Sequence, residues 1–201
     1  MRIFGARAGA QACGAWRGIG AAILSWMLAC SAATGQTEDL VIDSFRYPTP
    51  DAAQAEWEPF SSVVGSEAAQ PVLPATIEGV DCLSMPCVVT TTTVRGAWDK
   101  AVNLDLSAHR YLKFSINGSE SNHAIRMVTV HLKTADGGWW YYEIRLSNQW
   151  KTFVLPLADF KAEGKCTGWG DIRRIRISAW QQDSESGNFA LSDMRVSATG
   201  N

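Results

Sequence analysis

From Asp39 onward, apolar and polar positions alternate in short runs separated by turn residues, and no apolar stripe of helical period persists beyond about two turns. The runs are LVIDSF near the start, PCVVTTTTV (86–94), RYLKFSING (110–118), AIRMVTVHLKT (124–134), WWYYEIRLS (139–147), KTFVLPL, IRRIRISAW and FALSDMRVSA. They predict about eight strands, several of them rich in β-branched or aromatic residues. TADGG, between the fourth and fifth, predicts a hairpin turn with glycine where positive φ is required. DAAQAEWEPFSS, after the first strand, is read as a surface loop leading to Trp57. Crossover helices are missing, which excludes a parallel α/β fold. The expected class is all-β, a two-sheet antiparallel β-sandwich or jelly roll, formed by one domain over 39–199.

Alternation sorts the faces of these strands. In AIRMVTVHLKT, Val128, Val130 and Leu132 form the inner set, leaving Met127, Thr129, His131 and Lys133 outside. In WWYYEIRL, Trp140, Tyr142, Ile144 and Leu146 point inward, and Trp139, Tyr141, Glu143 and Arg145 outward. In IRRIRISAW, Ile175, Ile177 and Ala179 alternate with Arg174, Arg176, Ser178 and Trp180. Two strands thus carry large rings beside arginine on the side away from the core. A merely solvated face has little reason to hold exposed Trp, whose apolar area in water costs about 25 cal/mol per Å². A flat apolar platform beside bidentate hydrogen-bonding groups suits a sugar, whose ring stacks on an aromatic face while its hydroxyls take donors and acceptors. The bland alternative is that Trp139 packs on the hairpin and Trp180 under the loop 181–188.

The first residues have a different character. Arg2, Arg7 and Arg17 precede the acid-free apolar run AAILSWMLACSAA, which is short for a membrane span and is followed by small residues. Residues 1–35 are read as a secretory signal peptide cleaved before Gln36. The alternative is a lipoprotein signal, MLAC, with a lipid anchor on Cys30. Cleavage removes three arginines and no acid, leaving 15 basic and 20 acidic side chains, a net charge of about −5. Nucleic acid is therefore not an expected partner, and the protein is expected to be secreted, periplasmic or on the cell surface. Cys82 and Cys87 lie close in sequence and are expected to form a local disulfide outside the cytoplasm. Cys166 is left as a buried thiol or an intermolecular partner. The three histidines are scattered, without the spacing of a zinc site.

The order of several segments resembles the galactose-binding-like jelly rolls found as carbohydrate-binding modules of glycoside hydrolases and as free-standing secreted domains. The segments are LVIDSF, VNLDLSAHRYLKFSING, QWKTFVLPLADF (149–160), GWGDIRRIRIS (168–178) and FALSDMRVSA (189–198). The resemblance implies two sheets, with a carbohydrate lying across the concave one. Carried onto this chain, its binding residues are His131, Tyr141, Glu143, Arg145, Arg176 and Trp180, with Gln182 at the edge. It also implies a structural calcium between the first and last strands, at Asp43 and Asp193, although Ser44 stands where a second acid is common. Trp150 and Trp169 are read as structural, Pro156 as the end of a strand, and Phe160 as a plug at the edge of the sandwich.

The expected function is noncatalytic binding of a poly- or oligosaccharide. A glycosidase needs two carboxyls facing each other across a cleft, and Glu143 alone is placed on the aromatic face. A His131–Glu143 pair of the kind used by jelly-roll lyases is the less favoured catalytic reading. The other alternative, a protein–protein interaction or assembly domain, calls for an apolar patch without a groove.

Overall fold

The computed structural model of the chain describes residues 39–60, 68–88, 95–121, 124–182 and 186–200. The threonine-rich end of PCVVTTTTV, the signal-peptide segment and Cys30 lie outside the described residues.

The first sheet is built from β1 (Leu40–Asp43), β3 (Leu73–Ile77), β4 (Val80–Val88), β6 (Tyr111–Asn117), β9 (Lys151–Pro156) and β12 (Ser186–Ser197). Its order is β3-β4-β12-β6-β9, with β1 also paired to β12. The second comprises β2 (Glu58–Pro59), β5 (Arg95–Leu104), β7 (Ile125–Thr134), β8 (Trp139–Arg145), β10 (Lys161–Glu163) and β11 (Ile172–Gln181). Its order is β10-β8-β7-β11-β5-β2. All these pairings are antiparallel. The two-sheet antiparallel sandwich expected from the alternation is the fold observed.

The inner faces agree with the sequence pattern. Val128, Val130, Leu132, Ile175, Ile177 and Ala179 are buried, opposite Leu112, Phe114, Ile116, Phe189 and Leu191 of the first sheet's strands. Trp57 and Trp98 are the bulkiest fully buried side chains. At one end of the core Trp140 stacks on Trp169 with centroids 4.8 Å apart, and Phe160 packs against both Trp169 and Tyr142. Trp169 and Phe160 thus have the structural roles expected of them. Trp150 donates from Nε1 to the carbonyl of Ile77, which is structural too. The TADGG turn forms as expected, with Gly137 at φ +94°. Gly138 is required for another reason: a Cβ there would lie 2.1 Å from the carbonyl oxygen of Lys165.

Three expectations need correction. Pro50–Glu56 is a helix, α1, instead of a loop: Thr49 caps it by accepting from the Ala52 N–H, and Pro50 and Asp51 occupy its first turn. The alanines that suggested a loop are good helix formers once that cap is in place, and Ala53 is fully buried. Strand β5 was not foreseen, because RGAWDKAVNL is poor in β-branched residues; its position between β11 and β2 overrides that weak propensity. The Cys82–Cys87 disulfide does not form, and both are free buried thiols. They lie on one extended strand five residues apart, so they point to opposite faces with Cα atoms about 17 Å apart, where a disulfide needs under about 7 Å. Burial pushes the Cys87 thiol up to about 11. Cys166 is a free, half-buried thiol.

Candidate functional site

The ladders of the second sheet place its outward side chains in rows. Lys161, Tyr141, His131, Arg176 and Asp99 are successive cross-strand neighbours through β10, β8, β7, β11 and β5. Arg145, Met127, Trp180 and Arg95 form a second row, and Glu143, Thr129, Ser178 and Ala97 run between the two. Tyr141, His131 and Arg176 therefore share one row, and Arg145 and Trp180 another. Glu143 stands between them, and Gln182 lies just beyond β11. The β2–β5 pairing adds Glu58 beside Asp99.

The first row is fixed by a charge clamp. The Asp99 carboxylate is buried and accepts from Arg176 Nε (2.6 Å), Arg176 Nη2 (2.8 Å) and Arg174 Nη1 (2.9 Å). The Arg176 guanidinium carbon lies 3.7 Å from the centroid of the Phe60 ring and 4.9 Å from that of Trp139. Bidentate pairing and ring stacking together hold this guanidinium in one plane. Arg176 is thus on the predicted face, but its Nε and Nη2 serve Asp99. Asp99 also explains why an arginine can lie nearly buried there: without the carboxylate the charge would be desolvated and unpaired.

His131 is buried beneath Trp139 and Tyr141, with ring centroids 5.9 and 6.0 Å away. Burial first, then the positive charges of Arg95 and Arg176, lower its pKa to about 4, so at neutral pH it is an uncharged part of the floor. Among the described residues its Nδ1 has no hydrogen-bond partner. Glu143 is paired with Lys161 at 3.4 Å and lies across from Thr129, so it does not form a cross-strand pair with His131. That arrangement gives no support to an acid–base couple. Trp180 donates from Nε1 to Thr129 Oγ1 at 2.7 Å, and the Arg95 guanidinium carbon lies 5.3 Å from its ring centroid.

Three hollows follow this face. A groove of about 580 Å³ is lined by Arg126, Met127, Glu143, Arg145, Leu146 and Gln182. A central cavity of about 90 Å³ lies among Arg95, His131, Trp139, Glu163 and Arg176. A third, of about 200 Å³, is bordered by Glu56, Glu58, Asp99 and Arg174. The residues that sequence reasoning missed here are Arg95 and Asp99, which sit on the unforeseen β5, and Phe60. Trp139 was legible as outward, but its part in holding Arg176 was not.

Asp43, at the end of β1, is buried and accepts from the Phe45 N–H (2.6 Å), Tyr47 Oη (2.5 Å) and Trp57 Nε1 (2.8 Å). Lys100 Nζ lies 3.2 Å from the same carboxylate and 2.5 Å from Glu56. Burial and the Asp43 charge push the Tyr47 hydroxyl far up, so it remains a donor. Asp193 is bonded to Arg195. This donor set does not fit calcium, which takes six to eight oxygen ligands. Asp43 is surrounded by N–H and O–H donors, and the Lys100 ammonium stands where a cation would. Among the described residues no group of three or more His, Cys, Asp or Glu is arranged to hold a metal.

Taken together, a jelly roll with an aromatic and charged sheet face has the build of a noncatalytic carbohydrate-binding module. Residues 83–198 match the family described as carbohydrate binding domain 30, and the chain belongs to that family. Solved structures agree on the fold. The family 11 carbohydrate-binding module of the cellulosomal cellulase Lic26A-Cel5E of Clostridium thermocellum superposes with a TM-score of 0.57 at 17% identity, over 81% of this chain and 95% of that one. A family 11 module from the same organism, in complex with a β-1,3-1,4-mixed-linked tetrasaccharide, gives 0.57 at 18% identity over 80% and 96%. The family 30 module of the cellulosomal cellulase Cel9D-Cel44B of Clostridium thermocellum gives 0.55 at 16% identity over 82% and 99%. Among curated protein sequences none matches the chain.

Proposed function

We propose that the protein binds a poly- or oligosaccharide, without catalysis, across the outer face of the β10-β8-β7-β11-β5-β2 sheet. Trp180 and Tyr141 serve as stacking platforms, with Trp139 beside them. Glu143, Arg145 and Gln182 meet hydroxyl or carboxyl groups in the groove, and Arg176 and His131 shape the floor. The observation that carries this reading is the interleaving of three half-exposed rings with anchored charged groups on one sheet face. Curvature supports it as well. Strands β10 and β5 are separated by three others, about 19 Å on a flat sheet, yet Glu163 and Arg95 line one small cavity, as they would on a concave face.

Residues 1–35 are proposed to act as a secretory signal, with a lipid anchor at Cys30 as the alternative fate of that segment. No helix among the described residues is long and apolar enough to cross a membrane.

Affinity electrophoresis through gels containing neutral or uronate polysaccharides tests the proposal, with Trp180→Ala and Tyr141→Ala alongside. Retardation by a polysaccharide, weakened at least tenfold in a mutant whose circular dichroism is unchanged, is the expected result. A folded protein that no polysaccharide in the panel retards would overturn it.

A further inference from the structure

If this face binds carbohydrate, its free hydrogen-bonding capacity indicates which kind. The acceptors are largely engaged: both Asp99 oxygens take guanidinium N–H groups, and Glu143 faces the Lys161 ammonium. Glu163, at the central cavity, Glu58, at the third hollow, and the amide of Gln182, at the groove, remain. The donors are less committed. Among the described residues Arg95, Arg126 and Arg145 have no carboxylate within ion-pairing distance. Arg95 is half-buried against Trp180 and close to Arg176; burial first and that second charge hold its pKa below the usual value, while the Glu163 and Asp99 carboxylates act the other way. Glu163 thus already supplies an anion near the Arg95 guanidinium at the central cavity, whereas Arg126 and Arg145 at the groove have no carboxylate within ion-pairing distance among the described residues.

The two kinds of sugar differ in what they ask of a protein. A neutral hydroxyl acts as both donor and acceptor and is best met by mixed groups, whereas a carboxylate only accepts and matches the guanidinium fork. At the groove, where Glu143 faces Lys161, the available groups are mainly donors. Their placement is also regular. Along the row Arg145–Met127–Trp180–Arg95, the indole is one strand from Arg95 and two from Arg145, so the two arginines are separated by about 14 Å of sheet with the ring between them. Arg126 joins Arg145 at the groove of about 580 Å³.

We propose that the ligand is a uronate-bearing polysaccharide, with a carboxylate held at Arg126 and Arg145 in the groove and a sugar ring stacked on Trp180 beside them. This rests on the carbohydrate-binding reading of the same face and adds the charge of the ligand.

The test compares four polymers at pH 7 by isothermal titration of the full-length protein: polygalacturonate, its methyl ester, dextran sulfate and a mixed-linked β-1,3-1,4-glucan. Polygalacturonate is expected to bind at least tenfold tighter than its methyl ester and to weaken as salt is raised. Arg126→Gln and the likewise exposed Arg145→Gln are each expected to lower that affinity a few-fold, and the double variant about tenfold, with melting temperature unchanged. Equal affinity for the acid and the ester, or binding of the glucan alone, would overturn the acidic assignment and leave carbohydrate binding intact. Equal binding of dextran sulfate would show a response to charge without regard to carboxylate, and would overturn it too. Failure of a folded protein to bind any of the four would overturn both this inference and the carbohydrate reading on which it rests.

Discussion

Replacing Asp99 by asparagine probes the clamp that organises the outer face. The substitution keeps the shape but removes the charge, and it turns an amide N–H₂ toward two guanidinium groups. Asp99 makes three charge-assisted contacts, two of them to Arg176, whose side chain is 11% exposed. Removing one member of a buried ion pair costs about 3–5 kcal/mol. Arg174 contributes little to that figure, since its side chain is 44% exposed and water replaces the lost partner. Phe60 and Trp139 still stack on Arg176, so the expected loss is about 2–4 kcal/mol, or about 5–12 °C in melting temperature for a domain of this size. Urea unfolding of Asp99→Asn, Arg176→Gln and the double variant isolates the pair, with a coupling energy above about 1.5 kcal/mol expected. A coupling below about 0.5 kcal/mol would refute the view that this ion pair holds the face in place.

Other outcomes follow from the same geometry. His131 has a pKa of about 4 in the fold against about 6.5 unfolded, so between those values the unfolded chain binds more protons. Stability should therefore be full above about pH 6.5 and fall by up to about 3 kcal/mol as pH drops toward 4, a slope that urea melts across this range should find flattened in His131→Gln. Lys100→Met leaves the buried Asp43 carboxylate without its cation and should cost about 3–5 kcal/mol in thermal or urea unfolding. Calcium and chelator should leave the melting temperature of the unmodified protein where it is. Dithiothreitol should not lower it either, and Ellman's reagent should react with Cys87 only after denaturant is added.

Much of the face was legible because alternation in a strand is a geometric necessity. Once Val128, Val130 and Leu132 are recognised as core, His131 and Thr129 must point away, and the same logic exposes Tyr141, Glu143, Arg145, Arg176 and Trp180. What was not legible depends on pairing between distant strands. Asp99 acquires its role only when β11 brings Arg176 beside it, 77 residues away in sequence. Nothing in RGAWDKAVNL announces that, and its low strand propensity hid Arg95 as well. The family pattern likewise placed a cation at Asp43, but the fold brings Lys100 there from a segment that local reasoning had not recognised as a strand. The disulfide expectation failed for a local reason: proximity in sequence implies proximity in space only where the chain turns, and β4 does not turn between Cys82 and Cys87.

The face has two regimes, and the difference bears on how it would select a ligand. Around Asp99 the rings and guanidinium groups are already locked together, so a sugar stacking on that part loses little side-chain freedom of the protein on binding. At the groove end Arg126, Arg145 and Gln182 are exposed, the two arginines have no ion pair among the described residues, and each must be immobilised when it engages a partner, at about 0.5–1.5 kcal/mol. A neutral hydroxyl in water returns little against that cost, whereas a carboxylate bound by the guanidinium fork returns more. The rigid part thus sets where a ring lies, and the mobile arginines discriminate by charge. Ionic strength separates the two contributions, because stacking on Trp180 and Tyr141 is nearly independent of salt while the arginine contribution is screened over about 8–10 Å at ordinary salt concentrations. In high salt, affinity for polygalacturonate should therefore fall toward that for its methyl ester, with the loss from Trp180→Ala unchanged in size.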